Sequence, residues 1–231
     1  MNQKKRIVVL TGAGISVASG IKTFRDADGL WEGHNIEDVA TPEAWCKNPE
    51  LVLTFYNQRR QQSLMTKPNK AHHLLKALED KYKVNIITQN VDDLHERAGS
   101  QNILHLHGEL RKVRSERNGN LIYNWDKDLH LGDFCEQNTQ LRPHIVWFGE
   151  AVPNLPLAEN ITQKADILII IGTSMQVYPA ANLIYTVKAN TPIYFIDPKP
   201  NITQNQFENL TIITASATVG MEKLYNILNT S

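Results

Sequence analysis

Six short runs of aliphatic, often β-branched residues recur along the chain, and they leave few folds open to it. They cover residues 6–10, 84–88, 103–106, 167–171, 193–196 and 210–214. Apolar residues follow one another in these runs without polar alternation, which is typical of strands that are covered on both faces. Helical patterns at residues 71–81 and 180–188 lie between some of the runs. We therefore predict an α/β fold with a Rossmann-like parallel sheet and helices on both of its faces.

Two longer segments interrupt this alternation of strands and helices. Residues 29–70 have a helical pattern rich in Trp, Asn and Gln, and residues 108–142 are polar with turn signals. We predict that both segments form a smaller lobe inserted into a single domain. That domain would span residues 1–231, with a large lobe at about residues 1–28, 71–107 and 143–231.

The charge balance and the cysteines argue against several classes of protein. Lysine plus arginine and aspartate plus glutamate both total 24, so no overall positive field favours nucleic acid or an anionic membrane. Cys46 and Cys135 lie far apart and outside any CxxC spacing, which argues against a disulfide framework. The apolar run near the N-terminus is too short for a signal peptide, and no run could span a bilayer. We expect a monomer in the reducing cytoplasm.

A glycine-rich turn follows the first predicted strand. It consists of Gly12, Ala13, Gly14, Ile15 and Ser16. Small residues there let backbone amides approach a pyrophosphate closely, although such turns also occur for purely structural reasons. The dehydrogenase pattern fails, because Val17 occupies the position of its third glycine and no acidic ribose ligand follows a second strand. A hydride-transferring enzyme is therefore disfavoured.

Polar residues also follow or end two further predicted strands. Gln89, Asn90 and Asp92 come directly after a buried strand, where side chains meet a bound nucleotide in open α/β sheets. A plain Asx-type turn is the alternative. His105 and His107 lie two residues apart on another predicted strand and should point to the same side. They could be two hydrogen-bonded structural histidines, whereas a metal pair lacks a third ligand nearby.

Several motifs occur together in one order across nearly the whole chain. They are Ser19-Gly20-Ile21-Lys22-Thr23-Phe24-Arg25, Gly29-Leu30-Trp31, Thr88-Gln89-Asn90-Val91-Asp92, His95-Glu96-Arg97-Ala98-Gly99, His107-Gly108-Glu109, Val146-Trp147-Phe148-Gly149-Glu150, Gly172-Thr173-Ser174 and Val177-Tyr178-Pro179. This series resembles the sirtuins, which consume NAD to remove acyl groups from protein lysines. The resemblance implies acyl-lysine proteins or peptides as substrates, and nicotinamide, O-acyl-ADP-ribose and free lysine as products.

The resemblance also implies roles for residues at an NAD site. His107 would be the general base that activates a ribose hydroxyl, because an imidazole pKa near neutrality allows that proton transfer. Asn90 and Asp92 would hold the nicotinamide carboxamide and an ordered water, with Gln89 near the ribose. The other implied cofactor positions are the glycine-rich turn together with Phe24, Arg25, Trp31, Gly172, Thr173, Ser174, Asp197 and Ala215. At Asp197 the family usually has asparagine, but aspartate can also accept from ribose hydroxyls.

Two sets of residues are expected to bind the acylated substrate. By resemblance, Val146, Phe148 and Gly149 pair with the peptide as an added strand, although a simple buried edge strand would look the same in sequence. Tyr56 and Arg59 lie on one face of a helical segment, and an anonymous helix would carry such a pair on its solvated surface. In sirtuins that remove succinyl and malonyl groups, this pair binds the acyl carboxylate. Ala27 matches that class as well, since a small residue leaves room for a longer acyl chain.

The chain departs from most sirtuins at the structural zinc site. Ser115 and Asn118 stand where the first pair of cysteines is expected, and Cys135 alone remains of the second pair. One thiolate with scattered histidines, His130 and His144, cannot form a closed tetrahedral site, so we predict that no zinc is bound. Apolar packing should then hold the small lobe. Its candidate residues are Leu121, Tyr123, Trp125 and Phe134.

Two other functions fit the same motifs. Mono-ADP-ribosyl transfer on this scaffold would also require Asn90, Asp92 and His107, so product analysis is needed to separate it from deacylation. A catalytically silent module that binds NAD or an acyl-peptide is the third possibility. The presence of all three residues argues against it, because a retired site would be free to lose them.

Overall fold

The computed structural model describes residues 4–22, 30–31 and 33–230 of the chain. Within these residues the strands are β1 (Arg6–Thr11), β2 (Leu30–Trp31), β3 (His34–Asn35), β4 (Lys83–Thr88), β5 (Ile103–His105), β6 (Gly108–Ser115), β7 (Ile122–Asn124), β8 (Leu141–Ile145), β9 (Ile167–Ile171), β10 (Ile193–Ile196) and β11 (Leu210–Ile213). The α-helices are α1 (Ile36–Val39), α2 (Pro42–Lys47), α3 (Pro49–Met65), α4 (Lys70–Ala77), α5 (Leu94–Arg97), α6 (Leu155–Thr162) and α7 (Ala217–Thr230).

The six runs singled out in the sequence form one six-stranded sheet. Its strand order is β11-β10-β9-β1-β4-β5, and every neighbouring pair is parallel. The order of the strands along the chain reverses at β1, which lies between β9 and β4. Ligands in open α/β sheets bind beyond the carboxyl ends of the strands at such a reversal. The predicted α/β fold with a parallel sheet is thus confirmed.

The sheet separates two hydrophobic cores, and this explains why its strands are apolar throughout. On β1, Ile7 and Val9 face a core that α4 and α7 complete, whereas Val8 and Leu10 face a core that α6 closes. The contact with α7 is so close that a Cβ on Gly220 would lie 2.3 Å from a methyl group of Ile196. Alternate residues of each strand therefore require apolar side chains on opposite sides.

A third core lies between α3 and a small antiparallel sheet of order β7-β6-β8. Asn48 caps the N-terminus of helix α3, because its side chain accepts a hydrogen bond from the backbone N–H of Leu51. Leu121, Tyr123 and Trp125 pack partly buried against this core, as expected from the sequence. Phe134 does not, because 56% of its surface is exposed. The exact lobe boundaries remain a prediction.

Some local elements differ from the sequence-based expectations. Residues 180–188 were expected to form an α-helix, but a 3₁₀ helix covers Ala180–Thr186. The helical pattern at 71–81 is divided between α4 and a 3₁₀ turn at Leu78–Asp80. Strand β5 ends at His105, so strand alternation does not govern the direction of His107. In the part of the chain described, no helix is both long and apolar enough to cross a membrane.

Candidate functional site

The carboxyl ends of four neighbouring strands bring the predicted nucleotide-binding residues to one edge of the sheet. Gly12 follows β1, Gln89 follows β4, Gly172 follows β9 and Asp197 follows β10. These strands are adjacent in the order β10-β9-β1-β4. Segments separated by more than a hundred residues therefore meet because the strands are parallel and in register.

The glycine-rich turn packs directly against the loop after β9. A Cβ on Gly14 would lie 2.6 Å from the Cα of Gly172, and Gly172 itself has a left-handed φ of +65°. The N–H of Gly14 donates to the carbonyl of Gly172 at 2.8 Å. The amides of Gly12, Ile15 and Ser16 also donate to carbonyl oxygens of the chain. In this arrangement the glycines permit close backbone approach, while these four amides hold the turn together.

Ser16 joins the turn to the polar loop after β4. Its hydroxyl accepts from the Asn90 side-chain amide at 3.2 Å and donates to Asp92 Oδ2 at 3.1 Å. Asp92 Oδ1 accepts from the backbone N–H of Leu94. The three side chains thus form one connected, buried set between the loops after β1 and β4. Burial raises the pKa of the Asp92 carboxyl, against the opposing effect of the bonds from Leu94 and Ser16.

Gln89 connects the loop after β4 to the loop after β9. Its side-chain amide donates to the hydroxyl of Thr173 at 3.1 Å. The family resemblance predicts a cofactor contact for each residue, and it does not predict the hydrogen bond between them. It spans 84 residues of sequence, and no local pattern signals such a contact. Together these loops make a polar rim around the glycine contact.

His105 and His107 have different hydrogen-bond partners and pKa values shifted in opposite directions, although they are close in sequence. His105 Nδ1 lies 3.0 Å from the Asn90 carbonyl and Nε2 lies 2.8 Å from the Glu96 carboxylate. Both partners can only accept, so both ring nitrogens of His105 carry a hydrogen. Burial lowers the pKa of His105, but the hydrogen bond and charge of Glu96 outweigh it, and the net shift is upward. Both ring nitrogens of His105 have hydrogen-bond partners, which fits the structural alternative for this histidine.

The environment of His107, by contrast, favours the neutral imidazole. Its Nδ1 donates to the carbonyl of Gln89 at 3.1 Å, which leaves the lone pair on Nε2. Burial lowers the pKa of His107 below 6.5, against the weaker opposing effect of that bond. The ring is therefore unprotonated at neutral pH and can accept a proton through Nε2.

The predicted substrate segment adjoins His107 through the backbone. The N–H of Val146 donates to the His107 carbonyl at 2.9 Å, and the N–H of Phe148 donates to the Ala40 carbonyl at 3.0 Å. Phe148 exposes 46% of its surface, and Gly149 turns the chain with a φ of +89°. Hydrogen bonds thus anchor the segment on both sides of the buried Trp147, while the side chain of Phe148 is exposed.

Tyr56 and Arg59 are buried on α3 and do not lie on a solvated surface. The Arg59 guanidinium lies 5.8 Å from the ring centroid of Phe55. The hydroxyl of Tyr56 accepts from the indole N–H of Trp147 at 3.1 Å. Because Trp147 follows Val146, an unbroken series of contacts leads from Tyr56 to His107.

The other predicted cofactor positions have differing placements. Asp197 is buried and its Oδ1 accepts from the Lys199 N–H, Ser174 follows Thr173 at the rim, and Ala215 lies half-buried between β11 and α7. Trp31 belongs to the two-residue strand β2. The remaining three residues lie outside the described part of the chain: Phe24, Arg25 and Ala27.

The residues at and near the positions where the family usually has zinc-binding cysteines form a hydrogen-bonded cluster. The Thr139 hydroxyl lies 2.6 Å from Ser115 Oγ and 2.9 Å from Cys135 Sγ. Ser115 Oγ also accepts from the Asn118 N–H. One sulfur and several hydroxyl and amide groups do not match the four N or S ligands of a structural zinc. Among the described residues no three His, Cys, Asp or Glu side chains are grouped to hold a metal, and zinc-free protein remains a prediction.

Known proteins resemble this chain along nearly all of its length. Residues 12–179 match the Sir2 family. The chain is 60% identical over 220 residues to an NAD-dependent protein deacylase of Helicobacter pylori, covering 95% of this chain and 96% of that protein. It is 50% identical over 230 residues to an NAD-dependent protein deacylase of Bacteroides thetaiotaomicron, covering 97% and 98%. A solved Sir2 homolog–NAD complex superimposes with a TM-score of 0.86 at 39% identity, covering 98% and 90%.

Proposed function

The chain belongs to the Sir2 family and is an NAD-dependent protein deacylase, and from this premise we propose that it removes succinyl and malonyl groups from lysine in addition to acetyl groups. The observation that carries the proposal is the buried pair Tyr56 and Arg59, of which Tyr56 accepts a hydrogen bond from Trp147 within the proposed substrate segment. A buried guanidinium and a phenol hydroxyl suit an acyl group that ends in a carboxylate.

The residues at the sheet edge fit an NAD molecule. A Cβ at Gly12, Gly14 or Gly172 would collide with the neighbouring backbone, so the loops after β1 and β9 can approach each other only with glycine at these positions. Polar side chains at the ends of β4 and β9 supply amide, carboxylate and hydroxyl groups for ribose and carboxamide recognition. When bound, NAD supplies an electrophilic ribose carbon and nicotinamide as the leaving group.

We assign the general-base role to His107. Its Nε2 lone pair is available because the Gln89 carbonyl fixes the hydrogen on Nδ1. A ribose hydroxyl placed near Nε2 would lose its proton to this nitrogen, which turns the hydroxyl into a nucleophile toward the acyl carbon. The Val146 N–H that donates to the His107 carbonyl would link the base to the segment proposed to bind the peptide.

Asn90, Asp92 and Ser16 would hold the nicotinamide end of the cofactor. Ser16 accepts from Asn90 and donates to Asp92, so the two side chains cannot rotate independently. This preorganisation means that the amide and the carboxylate keep their orientation when a carboxamide enters. The three residues would bind and orient the carboxamide, and His107 would transfer the proton.

Mass spectrometry of three matched peptides tests the proposed acyl preference. We expect succinyl, malonyl and acetyl peptides to lose their acyl groups only when NAD is present, since Arg59 and Tyr56 would bind the carboxylates of the first two. O-acyl-ADP-ribose should appear in equal amount to the deacylated peptide. Removal of acetyl alone would contradict the preference, and an ADP-ribose adduct on the peptide would support ADP-ribosyl transfer instead.

The pH dependence of deacylation should report the protonation of His107. Burial lowers the pKa of this imidazole below 6.5, and the unprotonated form is the active one, so kcat/KM should stay high at neutral pH. It should fall only as the pH drops through a value below 6.5. Measuring kcat/KM between about pH 5 and about pH 8 checks this. An acid limb centred above 6.5 would contradict the buried environment.

We further propose that the protein acts in the cytoplasm as a monomer and without nucleic acid. Support comes from the two free cysteines, Cys46 and Cys135, which suit a reducing compartment. Equal numbers of positive and negative side chains provide no overall field for a polyanion.

A further inference from the structure

The buried Trp147 lies within the segment proposed to bind the peptide, residues 146–149, and contacts Tyr56 of the proposed acyl-binding pair. Its backbone lies between Val146 and Phe148, and its side chain is only 2% exposed. The indole N–H donates to the hydroxyl oxygen of Tyr56, 91 residues away in sequence. The indole and phenol rings lie 6.5 Å apart. One residue therefore touches both parts of the proposed substrate site.

The orientation of the indole is fixed by a partly buried ion pair. The Arg142 guanidinium carbon lies 3.2 Å from the centroid of the Trp147 ring. The same guanidinium donates to both Glu150 oxygens, at 2.8 and 3.2 Å. Glu150 also accepts from the backbone N–H of Trp147 at 2.8 Å and from Arg114. The backbone and the ring of Trp147 are thus held by one carboxylate and its arginine.

The indole bond determines how the Tyr56 hydroxyl is presented. A phenol oxygen that accepts from the indole has its own hydrogen turned away from Trp147. Without that bond the hydroxyl could rotate and the ring could shift by small amounts. A carboxylate bound by Arg59 needs a second donor in a fixed direction to be distinguished from a neutral acyl group.

We propose that Trp147, held by Arg142 and Glu150, is a positioning residue that orients the Tyr56 hydroxyl toward acyl groups ending in a carboxylate. This inference rests on the proposed desuccinylase and demalonylase function. Trp147 does not contact the reacting atoms. It acts through Tyr56, so its contribution is confined to the acyl groups that Tyr56 recognises and should be small for acetyl-lysine.

A double-mutant cycle of Trp147→Phe and Tyr56→Phe tests the proposal. Each variant and the double variant are assayed with succinyl and acetyl forms of one peptide. Trp147→Phe should lower kcat/KM for desuccinylation about three- to tenfold, the effect of one hydrogen bond, mainly through KM. Deacetylation should change by less than about twofold. In the Tyr56→Phe background, Trp147→Phe should cause no further loss of desuccinylation.

Controls separate positioning from damage to the fold. Trp125→Phe removes another indole N–H bond, to the Asp128 carbonyl, and should leave both activities unchanged. Thermal unfolding and NAD affinity show whether each variant is folded. Multiplicative losses in the double variant, or equal losses of both activities, would overturn the role of Trp147. Absence of desuccinylation and demalonylation in the unaltered enzyme would overturn the proposed acyl preference and this inference with it.

Discussion

Replacing His107 with alanine is expected to lower kcat/KM for deacylation by about 10²–10⁴-fold, the usual contribution of a positioned general base. The reason is that Nε2 of this imidazole is the lone pair that the Gln89 carbonyl leaves available. NAD binding should change little, because the glycine contact and the Asn90–Ser16–Asp92 set do not depend on the imidazole. Calorimetry with NAD and steady-state deacylation of one acetyl peptide measure the two quantities.

An exposed histidine provides the matched control. His73 is exposed on α4, one residue after the buried His72, and His73→Ala should leave both activity and NAD binding unchanged. His107→Ala with deacylation within about threefold of the unaltered enzyme would remove the imidazole from the mechanism. A parallel loss of NAD affinity would instead indicate that the ring holds the cleft together.

The large sheet could be predicted because its signal is local. Each strand is a run of apolar residues, and a run buried on both faces does not depend on any distant partner for its pattern. The 3₁₀ helix at Ala180–Thr186 was less predictable, since its apolar spacing also suits an α-helix. Whether such a segment closes i+3 or i+4 bonds depends on packing against α6, which no local pattern records.

The candidate site residues could be named from sequence, and their roles stay predictions, whereas the hydrogen-bond partners of their side chains could not be named. His105 and His107 look equivalent in sequence, and only the partners of their ring nitrogens distinguish them. Glu96, which raises the pKa of His105, precedes it by nine residues across a turn. The carbonyl of Gln89, which accepts from Nδ1 of His107, belongs to the backbone, and no sequence pattern records this contact. Protonation follows from three-dimensional contacts, so it required the structure.

The burial of Tyr56 and Arg59, the proposed acyl-binding pair, likewise depends on long-range contacts. A tyrosine and an arginine three residues apart predict only that both lie on one helix face. Their burial follows from the third core, where α3 packs on β6 and β8. The neighbouring Arg60 has a structural role, because its Nε donates to the Leu110 carbonyl at 2.7 Å. In the sequence, only the family resemblance distinguishes the predicted role of Arg59 from that of Arg60.

Replacing Arg59 with methionine should abolish most desuccinylation while deacetylation largely survives. Two charge-assisted hydrogen bonds of about 1.5–3 kcal/mol each bind a carboxylate, so their loss corresponds to at least about 10²-fold in kcat/KM. Methionine has a similar length and suits a buried position, which limits damage to the core around Phe55 and Tyr56. Acetyl-lysine carries no carboxylate, so its deacylation does not require the guanidinium.

Two further variants of α3 make the test decisive. Arg59→Lys keeps the charge but loses the planar fork, so desuccinylation should fall to an intermediate level. Gln58→Met alters an exposed residue of the same helix and should change neither activity. Steady-state kinetics with succinyl and acetyl forms of one peptide give the ratio of the two kcat/KM values for each variant. If Arg59→Met lowers both activities equally, the guanidinium supports the fold and the acyl-carboxylate assignment fails, because only a specific contact changes the ratio.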